Sequence, residues 1–265
     1  MTRLPFQCAT RTMISAAALG AFLLLTSRAL AGGLEVSPTT LQITSQQSAE
    51  GITLSNVGDT PLHAQVRVFA WSQKDNEDLL TPSTGITVSP PMLQIAPGAS
   101  QLLRVIRSTS APTGGSEQTY RLIIDEIPSP APLPSTGSGS AGAKKTSGAK
   151  SSTALDFYMR YSLPVFVGDT NDNAPSSLTW QLATSPRQWT LSVTNVGQTR
   201  AQIADIAAVL SNEERKMLFS GLAGYVLAGQ SRSWTITAPD AGQKVVRLEA
   251  MINRKVLPVH VDFAR

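Results

Sequence analysis

The sequence has few of the side chains that catalytic and metal sites use. It contains one cysteine, Cys8, and two histidines, His63 and His260, among 265 residues. A structural zinc site needs four clustered Cys or His ligands, and a hydrolase triad needs a histidine beside its nucleophile. The adjacent acidic pairs at 125–126 and 213–214 would point to opposite faces of a strand, and no phosphate-cradling glycine loop is present. The sequence therefore predicts a protein that is not an enzyme and binds no metal or cofactor.

The only long apolar run lies near the beginning of the chain. Residues 13–25 are almost all apolar, two arginines precede them, and a small-x-small Ala-Leu-Ala triplet ends at Ala31. This pattern predicts a signal peptide at residues 1–31, cleaved after Ala31. A membrane anchor is the alternative, but the run is shorter than the roughly 20 residues that span a bilayer, and Arg28 follows it closely. We therefore expect no membrane span in the mature protein.

Removal of this leader changes both the charge and the cysteine content. The full chain has 22 basic and 18 acidic residues, and the leader holds three of the arginines, so 19 basic residues remain. Such a balanced charge lacks the basic excess of nucleic-acid-binding proteins, and no nucleic-acid partner is expected. The leader also contains Cys8, so the exported chain has no disulfide and must fold on its apolar core.

The rest of the chain consists of short apolar segments separated by turn residues. No segment keeps a helical period, whereas strand-like segments bounded by Gly, Pro or Asn recur, for example at 52–56, 62–71, 101–107 and 119–127. This pattern predicts an all-β protein made of two immunoglobulin-like β-sandwich domains in tandem.

Two features of the first half recur in the second half in the same order. TLSNVGDTPLHAQV, from Thr53, matches TLSVTNVGQTRAQI, from Thr190, and PGASQLLRV, from Pro97, matches AGQSRSWTI, from Ala228. Two matches in one order favour a repeated domain. The alternative is that Asn-x-Gly turns simply recur in β proteins.

A low-complexity segment followed by a long strand stands out at the end of the first half. Residues 129–152 contain only Ser, Pro, Ala, Gly, Lys, Thr and one Leu, which predicts a flexible loop. Residues 153–167, TALDFYMRYSLPVFV, then alternate like one half-buried strand. The first domain is thus predicted at 32–168 and the second at 169–265, with a polar hinge at the boundary.

Together these features resemble the PapD-like periplasmic chaperones of pilus and fimbria assembly. The resemblance covers nearly all of the mature chain. It rests on the leader, the two β domains, the LQIAPGAS turn before the LLRV strand, the YRLIIDEIP strand, and the loop before the long strand. The MRYSLPVF run at 159–166 is similar to the archaic branch, which serves thin fimbriae and spore-coat-U-like subunits. The resemblance implies a periplasmic chaperone that binds pilin-like subunits and delivers them to an outer-membrane usher.

The resemblance also implies how the subunit is bound. Pilin subunits lack their last strand, and the chaperone supplies one of its own, here the strand at 153–167. Alternate side chains would fill the subunit's pockets, and those assigned to this donor face are Thr153, Leu155, Phe157, Met159, Tyr161 and Leu163. The alternative is that this face packs in the protein's own core.

A basic pair in the family anchors the terminal carboxylate of the subunit. Arg160 best matches the basic position on the long strand, and an arginine can bind a carboxylate with two hydrogen bonds. The other basic position falls near Thr39 and Thr40, where this sequence has no Lys or Arg. The candidate anchor is therefore Arg160 with Thr39 and Thr40.

Two further positions follow from the resemblance. Arg104 and Glu117 fall where the family has an internal ion pair, so a structural pair is expected between them. Phe166 replaces a basic residue at the end of the long strand, so the charge cluster between the domains is expected to be incomplete.

Two other functions are compatible with a secreted all-β chain, but the sequence favours each of them less than a chaperone. A secreted structural or adhesive fibre component would insert its strand into its neighbours, but such a strand belongs at the N-terminus after the leader, not in mid-chain. A sugar-binding sandwich would cluster exposed aromatic residues, whereas Trp71, Trp180, Trp189 and Trp234 are scattered along the chain.

Overall fold

The computed structural model describes residues 33–108, 115–128, 158–168, 177–238 and 245–263. The predicted signal peptide, the loop at 129–152, the donor positions Thr153, Leu155 and Phe157, and the hinge at 169–174 lie outside these residues. Throughout the described ranges the regular structure consists of strands, which confirms the all-β prediction. No helix in these ranges is long and apolar enough to cross a membrane.

The first sandwich contains ten strands in two sheets. They are β1 (Leu34–Ser37), β2 (Leu41–Ile43), β3 (Ala49–Asn56), β4 (Leu62–Lys74), β5 (Glu77–Pro82), β6 (Ile86–Ser89), β7 (Met92–Ile95), β8 (Ser100–Arg107), β9 (Gln118–Ile127) and β10 (Arg160–Val167). Sheet A has the order β1-β3-β8-β6. Sheet B has the order β2-β10-β9-β4-β5, with β7 also paired to β4. Alternate apolar side chains of both sheets fill the space between them, as the period of two requires.

The second sandwich contains eight strands in two sheets. They are β11 (Leu178–Thr184), β12 (Gln188–Asn195), β13 (Ala201–Leu210), β14 (Arg215–Val226), β15 (Ser231–Thr237), β16 (Val245–Ile252), β17 (Lys255–Val259) and β18 (Val261–Phe263). Sheet C has the order β15-β12-β11-β18, and sheet D has the order β14-β13-β16-β17. A second apolar core lies between these sheets.

The first strand of the chain changes sheets at Pro38. Before it, β1 pairs antiparallel with β3 in sheet A; after it, β2 pairs parallel with β10 in sheet B. Proline has no N–H to donate, so it interrupts a ladder. The crossing places Thr39 and Thr40 beside β10.

Two buried asparagines form the basis of the sequence repeat. In both Asn56 and Asn195, the side-chain oxygen accepts a hydrogen bond from the N–H two residues later, at 3.0 and 2.9 Å. The amide nitrogen donates to the carbonyl four residues later, at 2.7 and 2.8 Å. It also donates to a strand-end carbonyl, that of Ile95 or Val226, at 3.0 Å in each case. The repeat therefore holds two equivalent turns against neighbouring strands, beyond the general preference of Asn-x-Gly for turns.

The charged segment after Trp71 forms a hairpin that touches the second domain. Here β4 continues to Lys74 and β5 returns beside it. Asp75 and Asn76 turn the chain with φ values of 51° and 66°, a conformation that Asn and Asp tolerate well. The side-chain oxygen of Asn76 accepts a hydrogen bond from the Ser233 N–H at 2.8 Å. The hairpin thus brings Asp78 to the boundary between the domains.

Candidate functional site

Strand β10 is paired along its full length on one side only. It runs antiparallel to β9 from Arg160, opposite Asp125, to Val167, opposite Gln118. On its other side it pairs with β2, but only at its last three residues, from Val165 to Val167. No described strand pairs with this second edge between Arg160 and Pro164.

The backbone hydrogen bonds show which residues face this open edge. The Met159 carbonyl accepts from the Glu126 N–H on the β9 side at 2.9 Å, and the Gly168 N–H donates to Ile43 on the β2 side at 3.0 Å. Because successive residues of a strand direct these groups to opposite sides, Arg160, Ser162 and Pro164 face the open edge. Proline is favoured at such a position, since it cannot donate to a ladder.

The alternating face of β10 passes from this protein's own core to solvent. Leu163 is 6% exposed and lies in the core of the first sandwich. Tyr161 is half-buried against the same core and donates its hydroxyl to the Leu34 carbonyl at 2.7 Å. Met159, two residues earlier, is 51% exposed. Leu163, predicted to be a donor side chain, thus packs in the core of the protein itself. Tyr161 belongs mainly to that core as well.

A cavity of about 390 Å³ lies between the domains, next to the open edge. From the first domain it is lined by Thr39, Thr40, Trp71, Gln73, Asp78, Arg121, Ser162, Leu163 and Pro164, and from the second by Gln202, Leu222, Gly224, Tyr225 and Arg232. Thr39 and Thr40, two residues of the predicted carboxylate anchor, thus line this cavity. The cavity and the open edge share Ser162 and Pro164, so a strand on β10 would border the cavity.

Two arginines share one carboxylate in this cavity. The Arg121 guanidinium lies 3.8 Å from the centre of the Trp71 ring and 3.9 Å from an oxygen of Asp78. Arg232 forms the closer ion pair with Asp78, at 2.8 Å. Burial lowers the pKa of Arg121, and the nearby Arg232 lowers it further, whereas Asp78 and Tyr225 raise it. Because an arginine normally titrates far above neutral pH, Arg121 stays charged, and these three groups carry a net positive charge.

The cavity residues also include buried donors that lack an acceptor. The Nε1 of Trp71 and the Nε of Arg232 are buried and have no hydrogen-bond partner among the residues that the structure describes. A buried donor without a partner costs free energy, which an acceptor placed nearby recovers. Surplus positive charge and surplus donors together suit an anionic ligand such as a carboxylate.

Arg160 is not one of the residues that line the cavity. Its side chain is 66% exposed and pairs with Asp125, which also accepts from Arg67 at 2.7 Å. Burial alone would raise the pKa of Asp125, but the hydrogen bonds and charges of Arg160 and Arg67 outweigh it and lower that pKa. The predicted anchor residue is therefore engaged with Asp125. Arg121 lines the cavity instead. The sequence pattern did not single it out, because it is one residue of the β9 strand with no motif around it.

Glu117 forms an ion pair between the domains with Arg200. Its side chain is 1% exposed, and its other oxygen accepts from the Arg200 N–H at 3.1 Å. Arg104, the partner predicted for it, points to solvent from sheet A. The predicted Arg104–Glu117 pair is thus wrong. Burial raises the pKa of Glu117, and the charge and hydrogen bonds of Arg200 oppose that rise.

Phe166 lies at the centre of the contact between the domains. It is fully buried, and its ring centre lies 6.1 Å from that of Trp71 and 5.6 Å from that of Tyr225. The Arg200 guanidinium stacks 3.5 Å from the centre of the Phe166 ring. The sequence has no cation at position 166, but Arg200 of the second domain places one against the ring of Phe166.

The described part of the chain contains no cluster of His, Cys, Asp or Glu that could hold a metal ion. What it provides is an unpaired strand edge, a cationic cavity and an exposed apolar side chain at Met159, which together suit the binding of another polypeptide.

The structural comparisons agree on the fold. One similar structure is a chain of the CsuC–CsuE chaperone–tip adhesion subunit pre-assembly complex from the archaic chaperone-usher Csu pili of Acinetobacter baumannii. It is 24% identical, the match covers 88% of this chain and 100% of that chain, and the TM-score is 0.61. The E. coli chaperone DraB is 14% identical, with coverage of 87% and 97% and a TM-score of 0.53. The Pseudomonas aeruginosa chaperone CupB2 is 15% identical, with coverage of 85% and 98% and a TM-score of 0.52.

The sequence comparisons establish the family. No curated protein sequence matches the chain. Residues 33–168, just over half of the chain, match the family model described as pili and flagellar-assembly chaperone, PapD N-terminal domain. The matched segment contains β1 to β10, and so includes the open edge and the first-domain wall of the cavity. The chain therefore belongs to the PapD family of pilus-assembly chaperones.

Proposed function

We propose that this chain is a periplasmic chaperone of the archaic branch. It binds pilin-like subunits that lack their last strand, by pairing them with the open edge of β10, and delivers them to an outer-membrane usher. The observation that carries this proposal is the unpaired edge from Arg160 to Pro164, bordered by the cavity between the domains.

Backbone pairing explains why no catalytic chemistry is required. A subunit without its last strand exposes unpaired backbone groups and an apolar groove, and both are unfavourable in water. The edge of β10 offers the backbone of Arg160 and Ser162 to such a strand. The exposed Met159 lies on the face that the sequence assigns to subunit pockets. The CsuC–CsuE structure, which is similar in fold, is a complex between a chaperone and a subunit.

Amide hydrogen exchange, measured residue by residue, tests this pairing. The free protein and its complex with a pilin-like subunit would be compared by NMR. We expect the amides of Arg160 and Ser162 to become strongly protected in the complex. Those of Tyr161 and Leu163, which face β9 already, should change little and serve as internal controls. A stoichiometric complex in which Arg160 and Ser162 exchange as fast as in the free protein would contradict the proposal.

We further propose that Arg121 holds the terminal carboxylate of the subunit, in place of Arg160. Arg121 lies in the cavity, its positive charge is only partly balanced by Asp78, and Thr39 and Thr40 border the same space. The unpartnered Trp71 indole N–H adds a donor. A carboxylate entering this cavity would find a cation and several donors that are not fully satisfied.

Replacing Arg121 with glutamine should weaken subunit binding at least about ten-fold, because a carboxylate in the cavity would lose its nearest charge partner. The matched control, Arg160→Gln, should change affinity less than about two-fold, since an exposed ion pair contributes little. Affinity would be measured by titration calorimetry, with the fold of each variant checked by circular dichroism. A subunit extended by one glycine, which displaces its carboxylate, should bind the wild type and Arg121→Gln equally. If Arg160→Gln weakened binding more than Arg121→Gln, the proposed anchor would be wrong.

A further inference from the structure

The outer face of sheet D carries an apolar row that crosses all four strands. Leu222 on β14 pairs with Ala204 on β13, Ala204 with Met251 on β16, and Met251 with Val256 on β17. Leu222 is 56% and Val256 53% exposed, and the two residues between them are half-buried. At about 4.8 Å between strands, the row extends about 14 Å across the sheet. Met217, 42% exposed and opposite Ala207, widens it at β14.

This row is continuous with the cavity between the domains. Leu222 is one of the cavity-lining residues, together with Ser162 and Pro164 of β10. The neighbouring pair on the same face, Gln202 and Tyr225, lies at the domain contact. A polypeptide that pairs with β10 and fills the cavity therefore meets the row first at Leu222 and then along Ala204 and Met251 toward Val256.

Charged groups border the row at both ends. On the far side of Met217, Arg215 and Arg247 both pair with Glu249, at 3.2 and 3.1 Å, and Arg247 also pairs with Glu213. At the other end, Arg254 and Lys255 precede Val256, and both are exposed. An apolar centre with a polar border is the usual anatomy of a protein interface.

We propose that the row Leu222–Ala204–Met251–Val256 is a second contact surface for the pilin-like subunit bound at β10. The proposal rests on the proposed function, since it names the same subunit as occupant. The second domain thereby contributes directly to subunit affinity through sheet D, in addition to closing the cavity.

A matched pair of substitutions tests the row. Val256→Asp places a charge at the end of the row most distant from β10. Leu102→Asp is the control, because Leu102 is 54% exposed on the solvent face of sheet A, in the first domain. Affinity for a pilin-like subunit would be measured for both variants and the wild type by titration calorimetry. We expect Val256→Asp to weaken binding at least about ten-fold and Leu102→Asp less than about two-fold.

The outcomes separate this inference from the proposed function. If the subunit protects the β10 amides but binds Val256→Asp as tightly as the wild type, the row is not a subunit contact and strand pairing stands. If the wild type binds no subunit, both are overturned. If Val256→Asp instead abolishes a wild-type dimer seen by light scattering and leaves subunit affinity unchanged, the row joins two copies of this chain, and the inference is wrong. Thermal unfolding of each free variant, unchanged from the wild type, shows that the substitution acts on binding.

Discussion

Replacement of Arg200 by alanine should lower the free energy of unfolding by about 3–5 kcal/mol. Arg200 is the partner of Glu117, whose side chain is only 1% exposed, and it also stacks on the buried ring of Phe166. Its guanidinium donates to the Gln42 side chain at 3.0 Å as well. Without Arg200, a carboxylate remains buried without its cation, which costs much more than the loss of a surface ion pair. Chemical denaturation followed by tryptophan fluorescence would measure the loss.

The pH dependence of this loss has a definite sign. Burial already raises the pKa of Glu117, and Arg200 opposes that rise, so the variant should have a still higher pKa in the folded state. A carboxyl with a raised folded pKa binds protons more readily when folded, so its contribution to stability falls as pH rises through that pKa. The deficit of Arg200→Ala relative to the wild type should therefore be larger at neutral pH than at mildly acidic pH. A deficit that grows on acidification would contradict this account.

Two further variants isolate the ion pair. In Glu117→Gln/Arg200→Ala the buried charge is gone, so the double variant should be more stable than Arg200→Ala alone. Arg104→Ala removes the solvent-facing residue that the sequence assigned to Glu117, and it should change stability by less than about 0.5 kcal/mol. Equal losses from Arg104→Ala and Arg200→Ala would restore the predicted pairing and overturn the observed one.

The sequence predicted the fold because local signals agree along the chain. Alternating apolar segments bounded by turn residues predicted strands at 52–56, 62–71, 101–107 and 119–127, and strands lie in each of these segments. The repeated Asn-Val-Gly segments predicted a repeated domain. Buried Asn56 and Asn195 account for that repeat, because each needs the same three hydrogen bonds in its turn. Strand β5 was missed because its residues are exposed throughout and no alternation marks them.

The contact between the domains was beyond prediction from local pattern. Glu117 and Arg200 are 83 residues apart, and no spacing rule connects them. The resemblance implied a basic residue at position 166, where this chain has Phe, and a partner for Glu117 at Arg104. In this chain Arg200 of the second domain fills both roles. One indication of this contact is present in the sequence. Phe166 is a large apolar side chain where the family has a charged one, so it needs an apolar partner or a stacked cation from another part of the chain.

The limits of the donor face show what alternation can and cannot reveal. A period of two indicates which side chains share a face, but not whether that face packs inside the protein or against a partner. At the start of β10 this face passes from the protein's own core, at Tyr161, to solvent, at Met159, because the core of the first sandwich ends there. Leu163 and Met159 carry the same sequence signal, and only the packing distinguishes them.

The largest effect on binding is expected from Leu155→Asp/Phe157→Asp. In the sequence both residues continue the alternation of Met159, and both are apolar side chains that the sequence assigns to subunit pockets. Burying each contributes about 1.5–3 kcal/mol, so losing both should weaken binding by about two to four orders of magnitude. An aspartate forced into an apolar pocket adds a desolvation cost. The matched control is Leu102→Asp/Ile106→Asp, two exposed side chains on the solvent face of sheet A.

Co-purification from periplasm tests strand donation most directly. Wild type, Leu155→Asp/Phe157→Asp and Leu102→Asp/Ile106→Asp would each be expressed with candidate pilin-like subunits. Strand donation predicts a stoichiometric subunit with the wild type and the control, and none with Leu155→Asp/Phe157→Asp, while circular dichroism shows all three folded. Retention of the subunit in equal amount by Leu155→Asp/Phe157→Asp would contradict donation through this strand.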